Sequence, residues 1–131
     1  NCPMIDDRNE TPSSKEITDV GIWDREANIE AWGWYLGGKT ADEYAAPARA
    51  IDLSGLPPTF IDTGELDLFR DEDIEFSIRL LHAGVTTELH VYPGAYHASE
   101  SFAPEAELSK QIWTNRIKAL KRALKTNNVG F

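Results

Sequence analysis

Apolar and polar positions along the chain alternate in two distinct rhythms. Asp24 opens a helical stretch in which aromatics recur, with Trp23, Trp32, Trp34 and Tyr35 around Ala27. The Asp24 carboxylate suits an N-cap, and Gly37-Gly38 supplies the stop. Such aromatic density predicts core packing, with a pocket wall or an interface as the alternative. Thr59 to Thr63 is a short β-prone run, preceded by Pro57-Pro58, which halts a helix and extends the backbone. A turn over Gly64 to Arg70 follows. Asp71-Glu-Asp then begins a helix whose Ile74, Ile78 and Leu81 fall on one stripe, closed by Gly84. Thr86 to Tyr92 reads as a second strand, ended by Pro93-Gly94. Strand, helix, strand in that order predicts a parallel βαβ unit with a right-handed crossover. A last helix is expected from about Pro104 to about Lys125. Its buried stripe would be Ala106, Trp113, Ile117, Leu120 and Leu124, with a solvated basic end at Lys118, Lys121, Arg122 and Lys125. The polar stretch from Asp6 to Val20 and the connection from Lys39 to Pro58 read as loops. The fold class is therefore α/β, a short parallel sheet with flanking helices.

Composition narrows the functions open to such a chain. Its 131 residues fit one domain or part of a larger one. A net charge of −9 argues against nucleic acid, whose phosphates call for basic clusters. No apolar run approaches the ~20 residues of a membrane span. Cys2 is the single cysteine, so no internal disulfide can form, and a reducing cytoplasm is the easier compartment. The opening Asn1-Cys-Pro-Met-Ile resembles the tail of a strand entering a loop, as though the sequence begins in mid-fold.

Chemistry in a parallel α/β sheet gathers beyond the carboxyl ends of the strands. Asp67 lies just past the first predicted strand and His97 just past the second, so the two are expected at a shared rim. An imidazole can take a proton from a hydroxyl and return it to a leaving group, and a carboxylate on its other nitrogen fixes the tautomer. Other candidates have simpler explanations. Asp62 falls inside a strand without an evident partner, and Asp71 suits a helix N-cap. His82 lies at a helix end, and His90 in mid-strand. No ligand pair has a recognisable short metal-binding spacing, so a metal site built from histidines and aspartates is a weak alternative. A nucleophile is missing: no Gly-x-Ser-x-Gly occurs, and none of the serines, Ser54 included, sits at a strand-to-helix elbow. No His-Gly-Gly stretch is present to build an oxyanion hole.

Several stretches together resemble the α/β-hydrolases of the hormone-sensitive-lipase-like branch, which are carboxylesterases and lipases. Cys2-Pro-Met-Ile-Asp-Asp-Arg8 is similar to the strand and loop after that family's nucleophile helix. Tyr44-Ala-Ala-Pro-Ala-Arg49 and Leu53-Ser-Gly-Leu-Pro-Pro58 resemble its approach to the penultimate strand. Gly64-Glu-Leu-Asp-Leu-Phe-Arg-Asp-Glu72 is similar to its acid loop, and Val91-Tyr-Pro-Gly-Ala-Tyr-His97 to its histidine loop. The resemblance implies that residues 1–131 are the C-terminal portion of a single α/β-hydrolase domain, lacking the half that carries the nucleophile elbow. It implies a Ser-Asp-His triad with Asp67 as acid and His97 as base, acting on a small-molecule ester without a cofactor. The family often follows this histidine with Gly-Phe, whereas here it is Ala98-Ser99. Alternatives are a serine peptidase of the prolyl-oligopeptidase-like branch and a non-catalytic α/β piece acting through association. A half-sheet with open edges is expected to self-associate, and in relatives the edge near Glu88 to Tyr92 is implied to mediate dimers.

Overall fold

The structure is a computed structural model and describes residues 1–125. The chain forms two compact units, Asn1–His97 and Ala98–Phe131.

In the first unit, strands β1 (Thr59–Leu66) and β2 (Thr87–Tyr96) pair in parallel on either side of helix α3 (Arg70–His82) in sequence. This is the expected βαβ unit. Both strands run further than their turn signals suggest. From Thr59↔Thr87 to Gly64↔Tyr92 the register is regular; the next pair is Leu66↔Tyr96, so two further residues of β1 are matched by four of β2. Pro93-Gly94 therefore does not end the strand. It forms an irregularity within it, which proline and glycine tolerate because the ladder is already broken there.

Helix α2 (Arg25–Leu36) begins and ends as its sequence predicts. The Asp24 side chain accepts from the Ala27 amide, and Gly37 closes the helix at φ +56°. Its aromatics divide: Trp32 is buried with Ala41 and Ala46, whereas Trp34 and Tyr35 face solvent. A short helix, α1 (Pro12–Glu16), interrupts the stretch expected to be loop. Proline at its start and the Thr11 side chain accepting from the Ser14 amide account for it.

The main apolar cluster is Leu53, Ile61, Leu80 and Val85, with Phe76 and Leu89 packed against it. The stripe expected on α3 is rotated. Ile78 and Leu81 are exposed, and the buried face is Glu72, Asp73, Ser77 and Leu80. Hydrogen bonding sets this rotation. Glu72 Oε1 accepts from the Ile5 and Asp6 amides, at 2.8 and 3.2 Å, which holds the Glu72 face inward. Asp71 is not the N-cap, a place held by Phe69 without a side-chain bond. Its Oδ2 accepts instead from the Ser13 amide at 2.7 Å, and the Asp71 amide donates to Ser13 Oγ at 3.1 Å.

In the second unit, helices α4 (Ser99–Phe102) and α5 (Glu107–Ala123) replace the single helix expected from Pro104. Residues 104–106 remain outside the helix, and Ala106 takes the extended N-cap position. The buried face of α5 is Ser109, Ile112 and Ala119, while Trp113, Ile117, Leu120 and Leu124 are exposed. The expected stripe was chosen by side-chain size. The observed face includes Arg116, which is nearly buried because it pairs with Glu100. That buried pair pins a different side of the helix inward.

Candidate active site

Asp67 and His97 meet. His97 Nδ1 and Asp67 Oδ2 lie 3.1 Å apart, and the Asp67 side chain is fully buried while that of His97 is partly open. Asp67 sits in a tight turn after β1. Its amide donates to the Gly64 carbonyl, and its carbonyl accepts from the Arg70 amide. The second carboxylate oxygen, Oδ1, accepts from the Phe69 amide at 3.1 Å. Each oxygen thus has a fixed task, one orienting the carboxylate and one facing the imidazole.

Gly64 makes this meeting possible. A Cβ there would stand 2.3 Å from the Ala95 carbonyl oxygen, so only glycine lets the β2 backbone cross so close to β1. Further support comes from the Gly94 amide, which donates to Glu65 Oε2 at 2.9 Å, with Gly94 at φ +75°. Arg70 braces the same turn by donating to the Glu65 carbonyl and to Asp71. The His97 ring is flanked by Phe69, edge-on at 5.4 Å between centroids, and by Trp23 at 6.4 Å. These contacts restrict the ring's orientation without removing its access.

The competing candidates stand apart from this pair. His90 pairs with Glu88 at 2.8 Å and stacks on Tyr92, and His82 closes α3. Asp62 is buried in β1, where its carbonyl accepts from the Cys2 amide.

Behind Asp67 lie two further buried acids. Burial, with the Glu72 and Asp67 charges adding to it, pushes Asp73 up to about 9. Burial likewise pushes Glu72 up to about 8, although the Ile5 and Asp6 amides oppose it. Both are neutral at pH 7 and add no negative charge beside Asp67. Neither oxygen of Asp73 has a hydrogen-bond partner, nor does Glu72 Oε2.

Sequence reasoning gave no site role to Cys2 or Phe69 and left Trp23 between core packing and a pocket wall or interface. Among the described residues, one group of three ligating side chains is close enough to share an ion. It consists of Cys2, Asp67 and His97, with one donor atom from each within 4.8 Å of the others. The signal was available. The opening residues read as the tail of a strand, and the Cys2 amide does donate to the Asp62 carbonyl of β1 at 2.7 Å. The segment forms no strand, and this hydrogen bond to β1 holds Cys2 near Asp67. Among the described residues, no helix is long and apolar enough to cross a membrane.

Comparison with known proteins agrees with this architecture. The family model for the alpha/beta hydrolase fold matches residues 1–101. Carboxylesterase NlhH of Mycobacterium tuberculosis is 36% identical over 119 residues, which is 86% of this chain and 37% of the relative. A bacterial heroin esterase superposes with a TM-score of 0.91 at 42% identity, over 95% of this chain and 41% of its own. Esterase LipW from Mycobacterium marinum gives the same TM-score at 40% identity, over 95% and 40% of the two chains. The chain thus spans about two fifths of the proteins it matches. With the βαβ unit, the acid turn and the histidine turn in place, the chain belongs to the α/β-hydrolase fold family.

Proposed function

We propose that this chain is the C-terminal portion of a carboxylic ester hydrolase, and that Asp67 and His97 are the acid and base of its Ser-Asp-His triad. The 3.1 Å contact between His97 Nδ1 and the buried Asp67 carboxylate carries the reading. The esterase relatives support the substrate class, a small-molecule ester.

The reaction runs in two steps. A serine hydroxyl, supplied from upstream of Asn1, attacks the ester carbonyl while His97 accepts its proton through the nitrogen not facing Asp67. The imidazolium, stabilised by Asp67, then protonates the departing alcohol and leaves an acyl-enzyme. Water attacks that acyl-enzyme with His97 again as base, releasing the acid and restoring the serine. The carboxylate keeps its charge throughout and holds the ring in the productive tautomer. No metal or organic cofactor enters the scheme, and the cytoplasm is the proposed compartment.

The 131 residues alone should release no p-nitrophenol from p-nitrophenyl butyrate above background, because the attacking group is absent from them. In the full-length protein His97→Ala should lower kcat by on the order of 10⁶-fold. Full activity in that variant would overturn the assignment. Preference for a dipeptide amide over the ester would replace it with the peptidase reading.

A further inference from the structure

We propose that Cys2, Asp67 and His97 together form a binding site for a borderline-soft divalent cation of the Zn²⁺ type. The three side chains offer a thiolate, a carboxylate and an imidazole, with their donor atoms mutually within 4.8 Å. Tetrahedral Zn²⁺, bonded at ~2.0–2.3 Å, separates its ligands by about 3.3–3.8 Å. His97 Nδ1 and Asp67 Oδ2 stand 3.1 Å apart, just inside that spacing, so the pair opens by roughly 0.2 Å to admit the ion. The Cys2 thiol lies within 4.8 Å of both and must close to the same spacing. Cys2 lies in the segment that leads into the fold, its backbone amide donating a hydrogen bond to the Asp62 carbonyl of β1, and a change of its side-chain rotamer supplies the movement.

The donor set selects the ion. Hard cations such as Mg²⁺ and Ca²⁺ prefer oxygen alone, whereas sulfur with nitrogen and oxygen suits Zn²⁺ and Co²⁺. A thiolate and a carboxylate supply two negative charges, which balance the ion. Asp67 is already oriented by its bond to the Phe69 amide, the kind of outer support that metal-binding carboxylates use. Cys2 and His97 are only partly buried, so the ion has a way in and water can take the fourth position. On binding, the thiol releases its proton to solvent, so affinity rises with pH. Occupancy removes His97 from service as a base, a consequence that rests on the ester-hydrolase reading; the site itself does not.

Titration of the folded 131-residue chain with Co²⁺ tests the site directly. A near-ultraviolet thiolate-to-cobalt absorption should appear, disappear on adding Zn²⁺, and be absent from the urea-denatured chain, where the three residues no longer meet. His97→Ala should weaken Co²⁺ binding by at least about tenfold, Cys2→Ser should remove the band, and His82→Ala should change neither. Where a variant fails to fold, the wild-type chain decides the matter, because saturating Zn²⁺ should protect Cys2 from iodoacetamide. No band and no protection would overturn the proposal, as would a band that survives Cys2→Ser. These readouts do not depend on ester turnover, so failure of the ion site and failure of the hydrolase reading are distinguishable.

Discussion

Replacing Asp73 with asparagine should stabilise the chain, and by an amount that depends on pH. Asp73 is fully buried, and both its carboxylate oxygens are without partners. Burial, assisted by Glu72 and Asp67, raises it from 3.8 to about 9 in the folded chain. Below pH 3.8 the group is protonated whether the chain is folded or not, and it does not bias folding. Above that value the unfolded chain releases the proton while the folded chain retains it, so stability falls as pH rises. The loss continues until the folded group titrates and is constant beyond. Each pH unit in this window costs about 1.4 kcal/mol. By pH 7 the accumulated penalty is therefore on the order of 4 kcal/mol. Asparagine is similar in shape and is equally short of partners, but it cannot ionise, so Asp73→Asn removes the penalty and leaves the rest nearly unchanged. Urea denaturation of both proteins should show curves that coincide under acid conditions below pH 3.8 and separate by several kcal/mol at about pH 8. A separation that does not change with pH would refute the reasoning, as would an asparagine variant less stable than wild type at the higher pH.

Gly64→Ala should cost roughly 1–3 kcal/mol in urea denaturation, because the added methyl meets the Ala95 backbone and not a movable side chain; wild-type stability would refute the close approach. Ala98 holds φ +58°, a conformation unfavourable for any residue with a Cβ, so Ala98→Gly should raise stability by about 1 kcal/mol. An unchanged or lower denaturation midpoint would count against that backbone angle. Trp34, Tyr44 and Ile51 are largely exposed, at 74%, 88% and 98%. The chain should therefore self-associate in light scattering at about 100 μM, and a soluble monomer there would contradict the expectation.

Local rules served well where one residue decides the outcome. Asp24 and Gly37 bounded α2, and strand–helix–strand order gave the parallel pairing that carries Asp67 and His97 to one rim. Helix rotation was not legible. The buried sides of α3 and α5 are fixed by Glu72 and by the Arg116–Glu100 pair, polar contacts with residues distant in sequence. A stripe of large apolar residues was the wrong guide, since Ile78, Leu81 and Trp113 were left outside. The length of β2 was misjudged for a related reason. Pro93-Gly94 signals a stop in isolation, but Gly64 on the neighbouring strand offers a surface on which the backbone continues. The family's usual glycine after the histidine, replaced here by Ala98, has an explanation in the left-handed backbone at that position. Cys2 was not singled out as a site residue because it lies far from Asp67 and His97 along the chain and is linked to β1 by a backbone hydrogen bond to Asp62.

The mismatched count between the strands, two residues of β1 against four of β2, sets a strict rule on chain length. Removing or adding one residue between Tyr92 and His97 would change that count and carry the imidazole away from the Asp67 carboxylate. Substitution in that segment can be absorbed, whereas a single-codon deletion would separate the His97 ring from the Asp67 carboxylate while sparing the helices. Length variation among functional descendants of this sequence should therefore be confined to places such as the connection before Pro57 and be excluded from the five residues that lead into His97.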